Sequence, residues 1–209
     1  KGVAWTLALT ALSAVLGGIL GVVCAWMRAY GAKPLAWIAA TYVELIRNTP
    51  FIVQLFFIFF GLPAAGVKLT PEIASIIAMV VNLGAYAAEI VRAGLDATPR
   101  GQFDAAKALG LGRMQMFRLV VLPPALAKVW PAMVSQIIIV MLGSAVCGQI
   151  STEELSYAAN LIQSRNFRAF ESFIIAGAIY LLLAIAVRHV LTWVGPRFLF
   201  GASAKAGVR

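Results

Sequence analysis

Asp104 to Pro123 reads DAAKALGLGRMQMFRLVVLP. It opens on the helix-forming run Asp104-Ala105-Ala106-Lys107-Ala108-Leu109 and stops at Gly110, a residue suited to the left-handed backbone that ends helices. Beyond a short basic stretch, the apolar Val120-Val121-Leu122-Pro123 leads into a membrane-length segment. Upstream, Pro99-Arg100-Gly101 signals a turn, and Phe103, Ala106 and Leu109 then recur at helical spacing. A helix this short is marginal alone and needs a surface to sit on. Lipid is one such surface. The face beside Ala105 and Ala106 is small and alanine-rich, which anchors poorly in lipid and allows close approach to a protein groove. The reading is a polar docking helix held at the membrane face between two spanning segments.

The composition agrees. The chain has 209 residues, 62% apolar and 12% charged, against about 25% charged in ordinary soluble domains. Its mean hydropathy of +0.91 places it in a lipid bilayer. The net charge of +9 is explained by basic loops rather than by nucleic acid, since no soluble basic domain exists to carry such binding. Cys24 and Cys147 both lie in apolar runs and read as packing residues. One His and two distant Cys supply no metal-ligand set. The chain begins at Lys1 without a Met, so a trimmed N-terminus is expected. The first apolar run, Val3 to Met27, is too long for a signal-peptide core and long enough to span.

Five spans are expected: Val3–Met27, about Asn48–Val67, Thr70 to about Glu89, about Val129–Thr152, and about Ser172–Val194. Bare backbone is costly in lipid, so each is a helix and the fold class is all-α and polytopic. Thr49-Pro50 and Thr70-Pro71 each place a capping hydroxyl before a proline at the first helical position. The apolar Pro34–Val43 either begins the second span early or lies along the membrane surface. With five spans, 13 of the 17 Lys and Arg fall on one side, Lys205 and Arg209 among them. That side is expected to be cytoplasmic, with the N-terminus outside and the C-terminus inside. The loop of about 93–128 then faces the cytoplasm. Ser13, Gly17 and Gly21 form a small-residue stripe suited to close helix packing, within the chain or in a dimer.

Enzyme chemistry finds little support. No Gly-rich phosphate loop followed by Lys-Ser/Thr is present. His189, near the end of the last span, reads as an interfacial residue, and at the opposite membrane face from Ser144 it makes no protease pair. Polar groups inside spans are costly and often functional. Gln54, Asn82, Tyr86, Gln136, Ser144 and Gln149 are the candidates. Singly they read as interhelical hydrogen bonds, worth about 0.6 kcal/mol on average. Together they suggest one wall of a polar route. Glu153 and Glu154 at the outer end are candidates to meet a substrate ammonium, or are solvated loop charges. Glu89 and Arg92, three apart, read as a local ion pair.

Asp104-Ala105-Ala106, Gly110, Val120 and Leu122-Pro123 resemble the EAA loop of ABC importer permeases: Glu-Ala-Ala, three residues, Gly, nine residues, Ile, one residue, Leu-Pro. Asp104 stands for the Glu and Val120 for the Ile. Glu44 to Leu55, Ala85 to Arg92, Pro99 to Gln102, and Ser164 to Glu171 are similar to segments of the polar amino-acid (His/Glu/Gln/Arg/opine) permeases of that family. Met141 to Cys147 departs from the Lys-Asp/Asn-Thr-Ser-like stretch that members often carry.

The resemblance implies a single permease domain over residues 1–209 with the type I importer fold, in the bacterial inner membrane. It implies a second permease, the same chain or a paralogue. ATPase subunits would bind ATP and Mg, leaving no cofactor in this chain, and an extracytoplasmic amino-acid-binding protein would deliver substrate. It assigns ATPase coupling to Gly101, Asp104, Ala105, Ala106, Leu109 and Gly110, while the polar span residues themselves suggest a substrate path of Gln54, Asn82, Tyr86, Ser144, Gln149, Glu153 and Glu154. A secondary amino-acid transporter without an ATPase is the alternative; it usually carries an inverted repeat and midplane charges. A membrane scaffold would need neither a polar route nor a docking helix.

Overall fold

The computed structural model describes residues 1–199. Lys205 and Arg209, which the charge count placed in the cytoplasm, lie outside the described residues, as does the C-terminus. The described chain is helical: α1 Gly2–Tyr30, α2 Lys33–Arg47, α3 Phe51–Ala64, α4 Pro71–Asp96, α5 Arg100–Ala108, α6 Arg113–Ile150, α7 Leu155–Asn166 and α8 Ala169–Val194. Helices α1, α4, α6 and α8 are long and apolar enough to cross a bilayer. Helices α2 and α3 meet at a bend of 110° and make a fifth span only as a broken pair.

The bend has a local cause. Pro50 takes an extended backbone (φ −63°, ψ 139°), and its missing N–H cannot continue α2. Thr49 does not cap α3 as expected. Its hydroxyl turns back and donates to the carbonyls of Leu45 (2.9 Å) and Ile46 (3.3 Å), because Pro50 rather than Thr49 precedes the first helical residue. Gln54 then fastens the corner: its amide donates to Ile46 O (2.7 Å), Thr49 O (3.0 Å) and Thr49 Oγ1 (2.9 Å), while its Oε1 accepts from Asn82 of α4 (3.0 Å). Carbonyls freed by the break are thus paired, as burial in lipid requires. At about 1.5 Å per residue, neither arm alone reaches across a bilayer.

Helix α4 is the centre. Thr70 caps it by accepting from Ile73 N–H (3.4 Å), with Pro71 at the first position and Glu72 in the first turn. Lipid tails are as apolar as the helices, so close backbone approach rather than hydrophobic expulsion holds the spans together. The stripe Ser13, Gly17 and Gly21 is buried, and its two glycines lie against α4: a Cβ on Gly21 would stand 2.4 Å from Ala87 Cβ, and one on Gly17 3.0 Å from Leu83 Cβ. On the far side a Cβ on Gly94 would stand 2.8 Å from the Ala125 carbonyl of α6. The stripe therefore packs within the chain. Cys24 and Cys147 are buried and unpaired. Helix α8 is loosely held, with Phe173, Ile174, Leu181, Leu182 and Ile185 exposed. Trp130 Nε1 donates to its Leu191 carbonyl (2.9 Å).

Candidate functional site: a seated helix and a charged cavity at one end of the bundle

The expected loop of about 93–128 is largely helical. Helix α4 runs on to Asp96, α5 occupies Arg100–Ala108, and α6 begins at Arg113. Arg100 and Gly101, expected in a turn, are the first two residues of α5, because Pro99 holds the extended conformation that precedes it (φ −60°, ψ 137°). The C-terminal stop falls where the sequence put it. Gly110 takes φ +69°, its N–H bonds to Lys107 O (2.9 Å), and Leu111 N–H bonds to Ala106 O (3.1 Å). This pair of bonds is the Schellman motif.

Helix α5 has an inner and an outer face, divided differently from the expectation. Ala106 is 1% exposed and packs, with Phe103 and Leu111, on the core that holds Met116 and Phe117. Phe117 in turn meets Tyr30 of α1 edge-on (centroids 5.6 Å apart). Leu109, read as part of the same face, is 77% exposed. It caps the helix, and the backbone leaves at Gly110, so Leu109 does not follow the inward row of Phe103 and Ala106. Gly101, Asp104, Ala105, Lys107 and Ala108 are exposed. Among the described residues the Asp104 side chain makes no hydrogen bond or ion pair. A Cβ on Gly101 would meet nothing within 4 Å. Beside α5, Met114 and Leu119 of α6 extend the exposed apolar surface.

At the same end lies a charged cavity of about 400 Å³, walled by Arg28, Glu44, Arg47, Asn48, Tyr86 and Glu89, with Ala40 and Val43. Glu89 is its hub. Arg28 hydrogen-bonds Oε1, Arg92 reaches Oε2 at 3.1 Å, and Arg47 stands 3.8 Å from Oε2. Arg92 also meets Asp96 at 3.5 Å. The Arg47 guanidinium lies 5.5 Å from the Tyr86 ring centroid, a cation–π distance. The Glu89–Arg92 pair was legible from its spacing. Arg28, Arg47 and Glu44 were missed, because contacts across more than 40 residues leave no periodicity to read. Their crowding at one basic end was the available signal.

The remaining path candidates do not form one wall. Gln54 and Asn82 bond each other at the α2–α3 corner, and Tyr86 lines the cavity. Ser144 is buried and donates to Met141 O (2.6 Å); Gln149 is exposed. Glu153 pairs with the Lys1 ammonium at the opposite end of the bundle, which holds that ammonium above its ordinary pKa. Glu154, expected to face substrate or solvent, is closed off from solvent. It is fully buried and caps α7, accepting from Ser156 N–H (2.9 Å), Tyr157 N–H (2.7 Å), Ser156 Oγ (2.6 Å) and Tyr180 OH (2.5 Å). Saturation by four donors explains why a carboxylate is tolerated there. Tyr180, Thr6, which accepts from Leu155 N–H (3.2 Å), and the buried pair Ser75–Thr152 (2.7 Å) complete this end. Sequence reading missed Tyr180, Thr6 and Ser75; only Glu154 followed by Ser156 hinted at a cap. His189 bonds the Ile185 carbonyl of its own helix (2.7 Å). No group of metal-ligating residues occurs among the described residues.

A polytopic helical bundle, a corner broken and re-fastened by Gln54, and a short seated helix at one end define a membrane permease. Residues 17–200 match the family described as binding-protein-dependent transport system inner membrane component, and the chain belongs to it. It is 34% identical to the arginine transport system permease protein ArtQ of Bacillus subtilis (strain 168), covering 93% of this chain and 88% of ArtQ. It is 32% identical to the glutamine transport system permease protein GlnP of Escherichia coli (strain K12), covering 91% and 88%. A crystal structure of an amino acid ABC transporter with histidines superposes at a TM-score of 0.82, with 35% identity over 92% of this chain and 90% of that one. The MetNI methionine ABC transporter in an inward-facing conformation shares the fold (TM-score 0.74, 24% identity, 95% and 93% covered).

Proposed function

We propose that this chain is the permease subunit of an ATP-driven importer for polar amino acids. It sits in the bacterial inner membrane with the N-terminus outside and α5 in the cytoplasm. The amino-acid class is carried over from the arginine and glutamine permeases it is similar to. ATP and Mg are held by partner ATPase subunits, and a second permease completes the translocation unit. An extracytoplasmic binding protein meets the end that bears Glu153. A secondary transporter is the weaker reading, since the family is defined by binding-protein-dependent transport.

The observation that carries ATPase coupling is α5 itself: buried on one side through Ala106 and open on the other. Among the described residues a Cβ on Gly101 would meet nothing within 4 Å, which leaves that side of α5 open to a closely approaching partner. Movement of the ATPases would act on Gly101, Asp104, Ala105, Leu109 and the turn at Gly110. Ala106, Phe103 and Phe117 would pass it to α6 and α1, switching the bundle between two arrangements.

Purification from native membranes in mild detergent, followed by reconstitution, tests the reading. An ATPase with a phosphate-binding loop is expected to co-purify, and ATP is expected to drive uptake of a labelled polar amino acid. Amino-acid uptake driven by an ion gradient without ATP would refute it.

A further inference from the structure

The Glu89 cavity holds two opposite charges that lack full partners. On Glu89 each oxygen is already engaged, Oε1 by Arg28 and Oε2 by Arg92. Arg47 therefore stands off at 3.8 Å, beyond a hydrogen bond, and rests over Tyr86, leaving guanidinium N–H groups unspent. Glu44 lies three residues earlier on α2, lines the same cavity, and makes no ion pair or side-chain hydrogen bond among the described residues. Opposite charges at this helical spacing ordinarily meet. Here Arg47 is drawn away towards Glu89 and Tyr86, so the pair stays open. Between them the cavity of about 400 Å³ falls within the roughly 300–1,000 Å³ of small-molecule sites. Ala40 and Val43 supply an apolar patch beside the charges.

We propose that this cavity binds a free α-amino acid as its zwitterion, with the carboxylate on Arg47 and the ammonium on Glu44. The inference rests on the amino-acid reading above and places a contact point for cargo at the α5 end of the bundle. A guanidinium forks onto a carboxylate with two parallel bonds, and an ammonium is matched by the Glu44 carboxylate. The Glu89 cluster fixes Arg47 loosely enough to re-aim.

Equilibrium binding to the purified transporter, without ATP or binding protein, tests this with radiolabelled L-arginine, L-glutamine and L-histidine used separately. At least one is expected to bind. Its Nα-acetyl and carboxamide derivatives are expected not to compete. Glu44→Gln and Arg47→Gln should each weaken binding at least tenfold, and Lys128→Gln, a charge control at the same end, should not. Both side chains are exposed, so the variants are expected to fold; gel filtration of the complex checks this. Wild-type binding by both variants overturns the site. So does absence of binding in a preparation that takes up the same amino acid with ATP, and in that case the permease reading stands. Absence of both uptake and binding overturns both.

Discussion

Ala105 and Ala106 are neighbours in sequence with opposite surroundings, and one substitution made at each separates the two faces of α5. Ala106 is 1% exposed and packs on the core beside Met116 and Phe117. Leucine there must push α5 off its seat, a strain of typically 1–3 kcal/mol. Nine helical residues have little intrinsic stability to resist this. A cost of about 2 kcal/mol raises the open population of α5 roughly 30-fold, since about 1.4 kcal/mol is tenfold. Amide exchange over residues 100–111 of the Ala106→Leu transporter should accelerate by that order, and ATP-driven uptake should fall with it. Ala105→Leu meets no packed neighbour, so exchange should be unchanged while uptake falls through interference with the partner. If Ala106→Leu leaves exchange and uptake at wild-type levels, α5 is not seated as described.

Gly110→Pro asks for φ near −65° where the backbone stands at +69° and removes the bond to Lys107. Uptake should be lost while membrane insertion persists, and Gly110→Asn, which tolerates the left-handed region, should retain most activity. Gly21→Leu places atoms where even a Cβ lies 2.4 Å from Ala87. It should give an aggregated or thermally weakened transporter by gel filtration and melting, and Gly18→Leu, with nothing within 4 Å, should behave as wild type. Glu154→Gln replaces a carboxylate that accepts from four donors and should cost about 1–3 kcal/mol, read as a lower melting midpoint of the purified protein. An unchanged midpoint would show that Glu154 is not a structural cap.

The sequence carried the spans and the short helix after Pro99 because both rest on local signals. Apolar length declares a span, and Thr70-Pro71 and Gly110 declare helix ends whatever packs around them. Thr49 misled because two residues, Thr49 and Pro50, competed for the position before α3, and only the corner geometry with Gln54 decides between them. The Ala106 face misled for a related reason: periodicity says which residues align but not which side faces inward, and on a short helix Leu109 slips out of the row at the cap. Glu154 reads on paper as an outer-loop charge. Its burial depends on Tyr180, on another helix. The Glu89 hub was half legible, through Arg92 on its own helix; Arg28 and Arg47 arrive from α1 and α2.

The central claim is that the outer face of α5 touches an ATPase. Cys24 and Cys147 are both buried, so a cysteine introduced at Ala105 can be labelled selectively with a benzophenone in native membranes. Photolysis should join this chain to an ATPase subunit carrying a phosphate-binding loop, with a yield that changes when ATP is added. Adducts to lipid alone, with no ATPase captured in membranes active in ATP-driven uptake, would contradict the account.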